Sequence, residues 1–352
     1  MTLTPTSPGR LVPMRSVVRV LAALAALTLP LAGCAGTPRR AAPAHGATPT
    51  AAVPRPPRGI ELPGNSWPSK IAMAPDGTLW AVEGSIGFLA SVSPGGRVTQ
   101  HRLAGPADAP SLDPGYLAIA SDGTVWFSCP LGLGRLTPDG KVTLFHDPPL
   151  VYGSPYALTA GADGSFWYGG TTSDGWRLVH VTPSLSVSHI SVPLHQAGPA
   201  ITGLAFGPGG RLWFTSSPSG GESGKVGYAD AGGHTRVWPT GSPFLSSIVP
   251  GPDGALWFAE TDAIARVTPE GTISYHRAPA MKYTRGLVTG PGRALWFATA
   301  SSVGRITMTG RITLWPVPGA QQLTDLVYDT HRHGFWLADA RAAVLRWFPV
   351  PS

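Results

Sequence analysis

GPDGALWFAE, at residues 251–260, joins a tight turn to a short apolar segment that contains a tryptophan. Asp253 and Gly254 form a favoured two-residue turn between antiparallel strands. The same phrase, a turn followed by an apolar residue and tryptophan, occurs seven times along the chain. Its tryptophans are 39–46 residues apart, at Trp80, Trp126, Trp167, Trp213, Trp257, Trp296 and Trp336. Seven copies of a unit of this length indicate a repeat architecture.

Each repeat unit reads as four short strands. In the fifth unit, the strand-like segments are residues 247–249, 255–259, 264–267 and 272–275, with turns between them. No helical 3.6-residue pattern appears after the N-terminal leader. Four-stranded units of roughly 40 residues are typical of propeller blades. We therefore predict an all-β, seven-bladed propeller over residues 58–352, with the repeat tryptophans packed inside the blades.

The two ends of the repeat region predict how the ring closes. The seventh unit stops after its third strand-like segment, residues 344–347. An unpaired strand-like segment, residues 59–62, precedes the first unit. If this segment pairs as the outer strand of the last blade, it supplies the missing strand and covers an exposed edge. We expect that closure.

The distribution of charge argues against a nucleic-acid surface. The chain has a formal net charge of +7, but seven of its 26 basic residues precede Gly59 and no acidic residue does. The remaining 19 basic residues are balanced by 19 acidic ones. Phosphate binding needs a clustered positive field, so we expect no nucleic-acid partner.

The N-terminal leader predicts export and membrane anchoring. An apolar run at residues 20–31 follows three arginines and is too short to span a bilayer, as in a secretory signal. It ends in Leu-Ala-Gly-Cys, which resembles the bacterial lipobox. We expect residues 1–33 to be a signal peptide, Cys34 to be lipidated, and residues 34–57 to be a disordered Ala/Pro/Thr tether. The chain would then lie on the outer face of the bacterial cell membrane. An ordinary signal with an incidental cysteine, and a start at Met14, stay open.

The phrase at residues 251–260, with ARVTPEG at 265–271, resembles the virginiamycin B (streptogramin B) lyase family. VGRIT, at residues 303–307, matches the same signature, and the resemblance covers all seven units. It implies a seven-bladed propeller. It further implies an enzyme that opens the lactone ring of type B streptogramins by elimination, without water, and requires Mg²⁺.

The resemblance also implies an acid–base pattern, which the sequence supplies only in part. The family has Glu-Pro-His-Gly-Ile at the start of a first strand and a Glu three residues after the tryptophan. The positions that correspond to the His hold other residues: Ser69, Gly115, Tyr156, Thr202, Ser246, Arg285 and Asp325. The Glu is present as Glu83 and Glu260, with Asp339 in the last unit. Because an elimination needs a base of near-neutral pKa, Glu260 and Glu83 are the catalytic candidates, provided that burial raises their pKa.

Strand direction predicts where a site would lie. Strands alternate in direction, so first-strand starts and second-strand ends share one face around the central channel. We call it the channel face. The ligand-binding candidates there are Arg285, Asp325, Asp339, Lys70, Tyr116 and Tyr156, with His195 in a loop entering the fourth blade. Trp67 and Tyr283 offer further aromatic surface. Glu260 and Asp339 are the candidate Mg²⁺ ligands, since carboxylates suit a hard cation. Alternatively, the acids pair with Arg285, Lys70 or backbone N–H groups and hold blades together.

Two functions of different classes follow. One is a monomeric, membrane-anchored binding module that presents its channel face to a small molecule or protein. The other is a Mg²⁺-dependent carbon–oxygen lyase similar to the streptogramin enzymes. The repeat framework only builds blades, so the missing Glu-Pro-His segment weighs more than the shared framework. Binding is the preferred prediction.

Overall fold

The computed structural model describes residues 59–64, 66–84, 87–103, 114–130, 132–145, 155–172, 175–194, 200–218 and 222–351. These residues form 28 strands, arranged as seven four-stranded antiparallel sheets, and one 3₁₀ turn at Pro208–Gly210. The first strand of each sheet contacts the first strand of the next, and the seventh contacts the first. The predicted seven-bladed, all-β propeller is confirmed. Within the described ranges, no helix is long and apolar enough to cross a membrane.

The strands, in chain order and grouped by blade, have these bounds. The N-terminal strand is β1 (Gly59–Glu61). Blade 1 has β2 (Pro68–Met73), β3 (Leu79–Glu83), β4 (Phe88–Val92) and β5 (Val98–Arg102). Blade 2 has β6 (Leu117–Ile119), β7 (Val125–Cys129), β8 (Gly132–Leu136) and β9 (Val142–Phe145). Blade 3 has β10 (Leu158–Ala160), β11 (Phe166–Thr172), β12 (Gly175–Val181) and β13 (Val187–Val192).

The later blades repeat the pattern. Blade 4 has β14 (Ala200–Phe206), β15 (Leu212–Ser217), β16 (Lys225–Ala229) and β17 (Thr235–Pro239). Blade 5 has β18 (Leu245–Pro250), β19 (Leu256–Glu260), β20 (Ile264–Val267) and β21 (Ile273–His276). Blade 6 has β22 (Arg285–Gly290), β23 (Ala294–Ala298), β24 (Ser302–Thr307) and β25 (Ile312–Pro316). Blade 7 has β26 (Leu323–Asp329), β27 (Gly334–Asp339) and β28 (Val344–Pro349), with β1 as its fourth strand.

The N-terminal strand closes the ring as predicted. β1 pairs antiparallel with β28, so that Ile60 lies opposite Leu345 and Gly59 opposite Arg346. Ile60 and Leu345 are both buried. The sheet order β1-β28-β27-β26 therefore joins the start of the propeller to its last blade, and the closure is confirmed.

The repeated phrase encodes blade packing. Trp213, Trp257 and Trp296 are buried, and the Trp296 ring stacks on Trp315 of the outer strand with centroids 5.5 Å apart. In blades 2, 4 and 6, the phenylalanine after the tryptophan packs on a glycine of the third strand. At Gly304, for example, a Cβ atom would lie 2.2 Å from the ring of Phe297. Only glycine leaves room for that ring, which gives a structural reason for the glycine in VGRIT.

Candidate ligand-binding site

Four of the predicted site residues form one group at the channel face, which we call the channel cluster: Lys70, Tyr116, Arg285 and Asp325. They come from blades 1, 2, 6 and 7, which are consecutive in the closed ring. Lys70 Nζ lies 3.9 Å from Asp325 Oδ1 and 5.1 Å from the centroid of the Tyr116 ring. The Arg285 guanidinium is close enough to act electrostatically on Lys70. Sequence reasoning therefore selected residues that the fold brings together.

Asp325 joins three blades. Its Oδ2 accepts a hydrogen bond of 3.1 Å from the Ile71 N–H of blade 1. On the other side lies Gly286 of blade 6, with φ 49°, where a Cβ atom would be 2.5 Å from Asp325 Oδ1. The neighbouring Thr324 Oγ1 donates to the Pro68 carbonyl at 2.9 Å. Blades 6, 7 and 1 thus hold this carboxylate in a fixed position.

The charges of the channel cluster are set by burial and by each other. Burial raises the pKa of Asp325, although Lys70 and backbone N–H groups oppose that rise. Burial lowers the pKa of Lys70, but Asp325 and Tyr116 together outweigh it, so the pKa ends above its ordinary value. Lys70 is therefore a cation at neutral pH, recessed among the inner strands.

A cleft of about 290 Å³ opens beside the cluster, between blades 6 and 7. We call it the arginine cleft, because it contains Arg285 and Arg341. Tyr283, Gln321 and Gln322 form its other polar walls. Arg341 was not predicted from the sequence. The signal that identifies it is its place two residues after Asp339, where strand direction puts it on the channel face.

Two of the predicted acids are occupied within their own blades. Glu83 is buried, and its two oxygens accept hydrogen bonds from Ser66 Oγ at 2.9 Å and Gln100 Nε2 at 2.7 Å. The contacts of Glu83 correspond to the alternative prediction, in which the acids hold the blades together.

Asp339 is likewise buried and paired. It accepts the backbone N–H groups of Gln321 and Gln322 at 3.0 and 2.8 Å, and Arg346 Nε lies 2.7 Å from its Oδ2. This carboxylate fixes the loop that enters blade 7. That loop is also one wall of the arginine cleft.

Glu260 occupies the same repeat position but differs in its contacts. It is buried, with 1% of its surface exposed, and neither of its oxygens has a hydrogen-bond partner among the described residues. The strand registers of blades 1 and 5 explain the difference. In blade 5, Tyr275 occupies the position that corresponds to Gln100. Pro243, which has no side-chain donor, occupies the position that corresponds to Ser66. The nearby Gly241 N–H donates to Tyr275 Oη at 2.9 Å.

The isolation of Glu260 changes its acidity. Burial raises its pKa to about 7, while Arg277 opposes the rise and Asp262 adds to it. The Gly241 N–H lies close enough to lower the pKa slightly. A carboxyl group with a pKa near 7 is suited to act as a general base at neutral pH.

The carboxylates do not assemble a cation site. In the described ranges, no group of three or more His, Cys, Asp or Glu side chains is arranged to hold a metal. Asp339 is already neutralised by Arg346, and Glu260 is buried with no hydrogen-bond partner among the described residues. Mg²⁺ demands near-octahedral oxygen coordination and usually keeps several waters. These residues do not fit Mg²⁺, and its requirement stays a prediction.

Exposed aromatic side chains surround the channel face. Trp67, Tyr156, Phe244 and Tyr283 are 43%, 51%, 66% and 60% exposed, and each lies in the segment that leads into a first strand. We call these four residues the aromatic rim. Phe244 was missed by the sequence analysis, although it precedes β18 as Trp67 precedes β2. Two other predicted residues, His195 and Cys34, lie outside the described residues.

Comparisons with known proteins extend these observations. The model of the Virginiamycin B lyase family matches residues 59–220 and 177–345. The virginiamycin B lyase of Nocardia farcinica (strain IFM 10152) is 32% identical over 134 residues, which are 38% of this chain and 44% of that protein. The chain therefore matches less than half the length of this curated relative.

Solved structures share the fold. A streptogramin B lyase has a TM-score of 0.70 at 23% identity, covering 82% of this chain and 95% of that one. A catalytically inactive virginiamycin B lyase from Staphylococcus aureus, crystallised with quinupristin, has a TM-score of 0.70 at 22% identity. That alignment covers 83% of this chain and 98% of the other. At these identities, the likeness establishes the shared propeller only.

Proposed function

The chain belongs to the virginiamycin B lyase family, and from that premise we propose that it is a ligand-binding propeller whose binding site is the channel cluster. The observation that carries the proposal is the recessed Lys70 cation, held between Asp325 at 3.9 Å and the Tyr116 ring at 5.1 Å. A charge held in this way can orient a polar ligand at the channel face. The aromatic rim around it supplies apolar contact area.

Recognition suits this cluster better than proton abstraction. The pKa of Lys70 is raised, so Lys70 keeps its proton at neutral pH. A general base must be unprotonated before it can accept a proton from the substrate. The Arg285 guanidinium presents only N–H donors and no acceptor, so it suits ligand recognition and not proton abstraction. The first-strand positions that correspond to the family His hold no histidine.

The test is a calorimetric titration of quinupristin into the full chain, because an inactive family member was crystallised with it. We expect saturable binding, weakened roughly ten-fold or more in Lys70→Met through loss of a charged contact. The matched control is Lys141→Met, at an exposed lysine between β8 and β9. Absence of binding, or equal affinity of both variants, contradicts the proposal.

A second candidate is favoured by one observation: Glu260 is buried with no hydrogen-bond partner for either oxygen among the described residues, and burial raises its pKa to about 7. In this alternative, the chain is a carbon–oxygen lyase that uses Glu260 as its base. An elimination leaves the mass of quinupristin unchanged, so chromatographic retention is the readout. The rate should rise with pH to a plateau above about 7, because only the ionised carboxylate accepts a proton. Product formation by Glu260→Gln would remove this candidate, and inactivation by EDTA would support the Mg²⁺ requirement.

We also propose that the chain is exported as a monomer and held at the outer face of the bacterial cell membrane by a lipid on Cys34. The leader and the lipobox-like sequence support this proposal. Cell fractionation provides the test. The chain should sediment with membranes, while Cys34→Ala should appear in the soluble exported fraction. A variant that stays membrane-bound after salt washing contradicts lipid anchoring at this cysteine.

A further inference from the structure

The arginine cleft carries positive charge that the described residues do not neutralise. Arg285 and Arg341 are exposed, and neither has an ion pair or a side-chain hydrogen bond within the described ranges. Two other arginines on this side of the propeller are paired: Arg346 with Asp339 at 2.7 Å, and Arg277 with Asp262 at 3.6 Å. Two unpaired guanidinium groups in one cleft are therefore available to an external anion.

The walls of the cleft are fixed before a ligand arrives. Asp339 holds the backbone of Gln321 and Gln322, and the Gln322 carbonyl accepts the Ala340 N–H at 2.9 Å. The Ala340 bond places the turn that carries Arg341 against the loop that enters blade 7. The Leu323 N–H donates to the Ala300 carbonyl at 2.9 Å and ties that loop to blade 6. A preformed cleft loses less entropy when it binds a ligand.

Tyr283 adds an aromatic surface to this charge. It lines the cleft, is 60% exposed, and has φ 54°, in the left-handed region that a bulky residue rarely adopts. The next residue, Thr284, is buried, and its N–H donates to the Thr261 carbonyl at 3.0 Å. The chain thus holds a strained backbone while it presents an aromatic side chain to the cleft. Strain of this kind is concentrated at ligand sites.

Resting on the proposed function of the channel face, we propose that the arginine cleft binds a small aromatic carboxylate. The guanidinium groups of Arg285 and Arg341 receive the carboxylate, because planar N–H donors match its two oxygens. The ring of the ligand lies against Tyr283. The volume of about 290 Å³ is at the small end of ligand pockets and suits a molecule of one or two rings.

The probe is benzoate, titrated into the full chain at low salt, with benzamide as a neutral molecule of the same shape. Benzoate should bind at least ten-fold more tightly than benzamide, and added salt should weaken only the benzoate complex. Arg341→Gln and Arg285→Gln should each weaken benzoate roughly ten-fold. Arg311→Gln is the matched control, since it removes the same charge from the opposite face of blade 6. Circular dichroism and thermal melting verify that each variant is folded.

Equal binding of benzoate and benzamide overturns the inference, as does full affinity in either cleft variant. Tighter binding of inorganic phosphate than of benzoate overturns the assignment to a carboxylate. The two proposals are separable. If benzoate discrimination holds but quinupristin does not bind, only the proposed function is contradicted. If quinupristin binds at Lys70 but benzoate discrimination is absent, only the cleft assignment is contradicted.

Discussion

Replacing Glu260 with Gln should stabilise the protein at pH 8 and leave its stability unchanged at pH 4. The carboxyl is buried without a hydrogen-bond partner among the described residues, and its pKa is raised from 4.5 to about 7. The raised pKa means that the native state keeps a proton which the unfolded chain releases. Stability from this group is therefore full below pH 4.5 and is lost as the pH rises through about 7.

The magnitude follows from the same shift. A rise in pKa from 4.5 to about 7 corresponds to about 3 kcal/mol of unfolding free energy. Only 1% of Glu260 is exposed, so little of this energy is screened by solvent. Glutamine resembles the protonated acid and carries no charge. The free energy of unfolding of Glu260→Gln should therefore exceed that of the wild type by up to about 3 kcal/mol at pH 8 and equal it at pH 4.

The assay is urea unfolding of both proteins at half-unit steps from pH 4 to 8. Their difference isolates Glu260 from other titrating groups. Glu83→Gln is the matched control at the same repeat position, where Gln100 and Ser66 already donate to the carboxylate. That variant should lose about 1–3 kcal/mol at pH 8. Parallel pH profiles of wild type and Glu260→Gln, or a less stable variant at pH 8, would show that burial does not raise the pKa of Glu260 in the folded protein.

Three further substitutions test the packing that positions the site. Gly304→Ala should cost about 1–3 kcal/mol, because its Cβ would overlap the Phe297 ring, and urea unfolding measures the loss. Arg346→Met should cost about 3–5 kcal/mol, since it leaves the buried Asp339 carboxylate without its cation, and thermal unfolding should detect the change. Ile60→Ala should cost about 2–5 kcal/mol, because it removes a buried side chain from the closing strand, as guanidinium unfolding should show.

Matched variants separate these effects from general sensitivity. Gly95→Ala changes a glycine whose added Cβ would meet nothing closer than 3.9 Å, so it should lose far less than Gly304→Ala. Arg277→Met breaks an exposed ion pair and should cost at most about 1 kcal/mol. A wild-type unfolding curve for Ile60→Ala would contradict ring closure by β1.

The sequence predicted the fold because the fold is repeated in it. Seven copies of one turn-and-tryptophan phrase set both the blade count and the missing outer strand, and β1 supplies that strand. Strand direction alone placed Lys70 and Asp325 on the same face. Because blades 1 and 7 are neighbours in the closed ring, the order of the blades also predicts that the two side chains are close, and their charged groups lie 3.9 Å apart.

The pairing of the acids was beyond the sequence. Glu83, Glu260 and Asp339 share one repeat position, yet their partners come from strands and loops that vary between blades. Gln100 lies in the outer strand β5 and Arg346 in the third strand β28, whereas Glu260 has no equivalent donor. Side-chain contacts of this kind depend on which residues each blade places around the shared position and not on the repeated phrase.

Ligand binding at the channel cluster is tested most directly by a crystal structure of the full chain soaked with quinupristin. We expect density for the intact lactone against the channel cluster, with a polar group of the ligand within hydrogen-bonding distance of Lys70 Nζ. Density for an opened ring would contradict a function limited to binding, and a ligand bound only on the outer wall of the blades would contradict a binding site at the channel face.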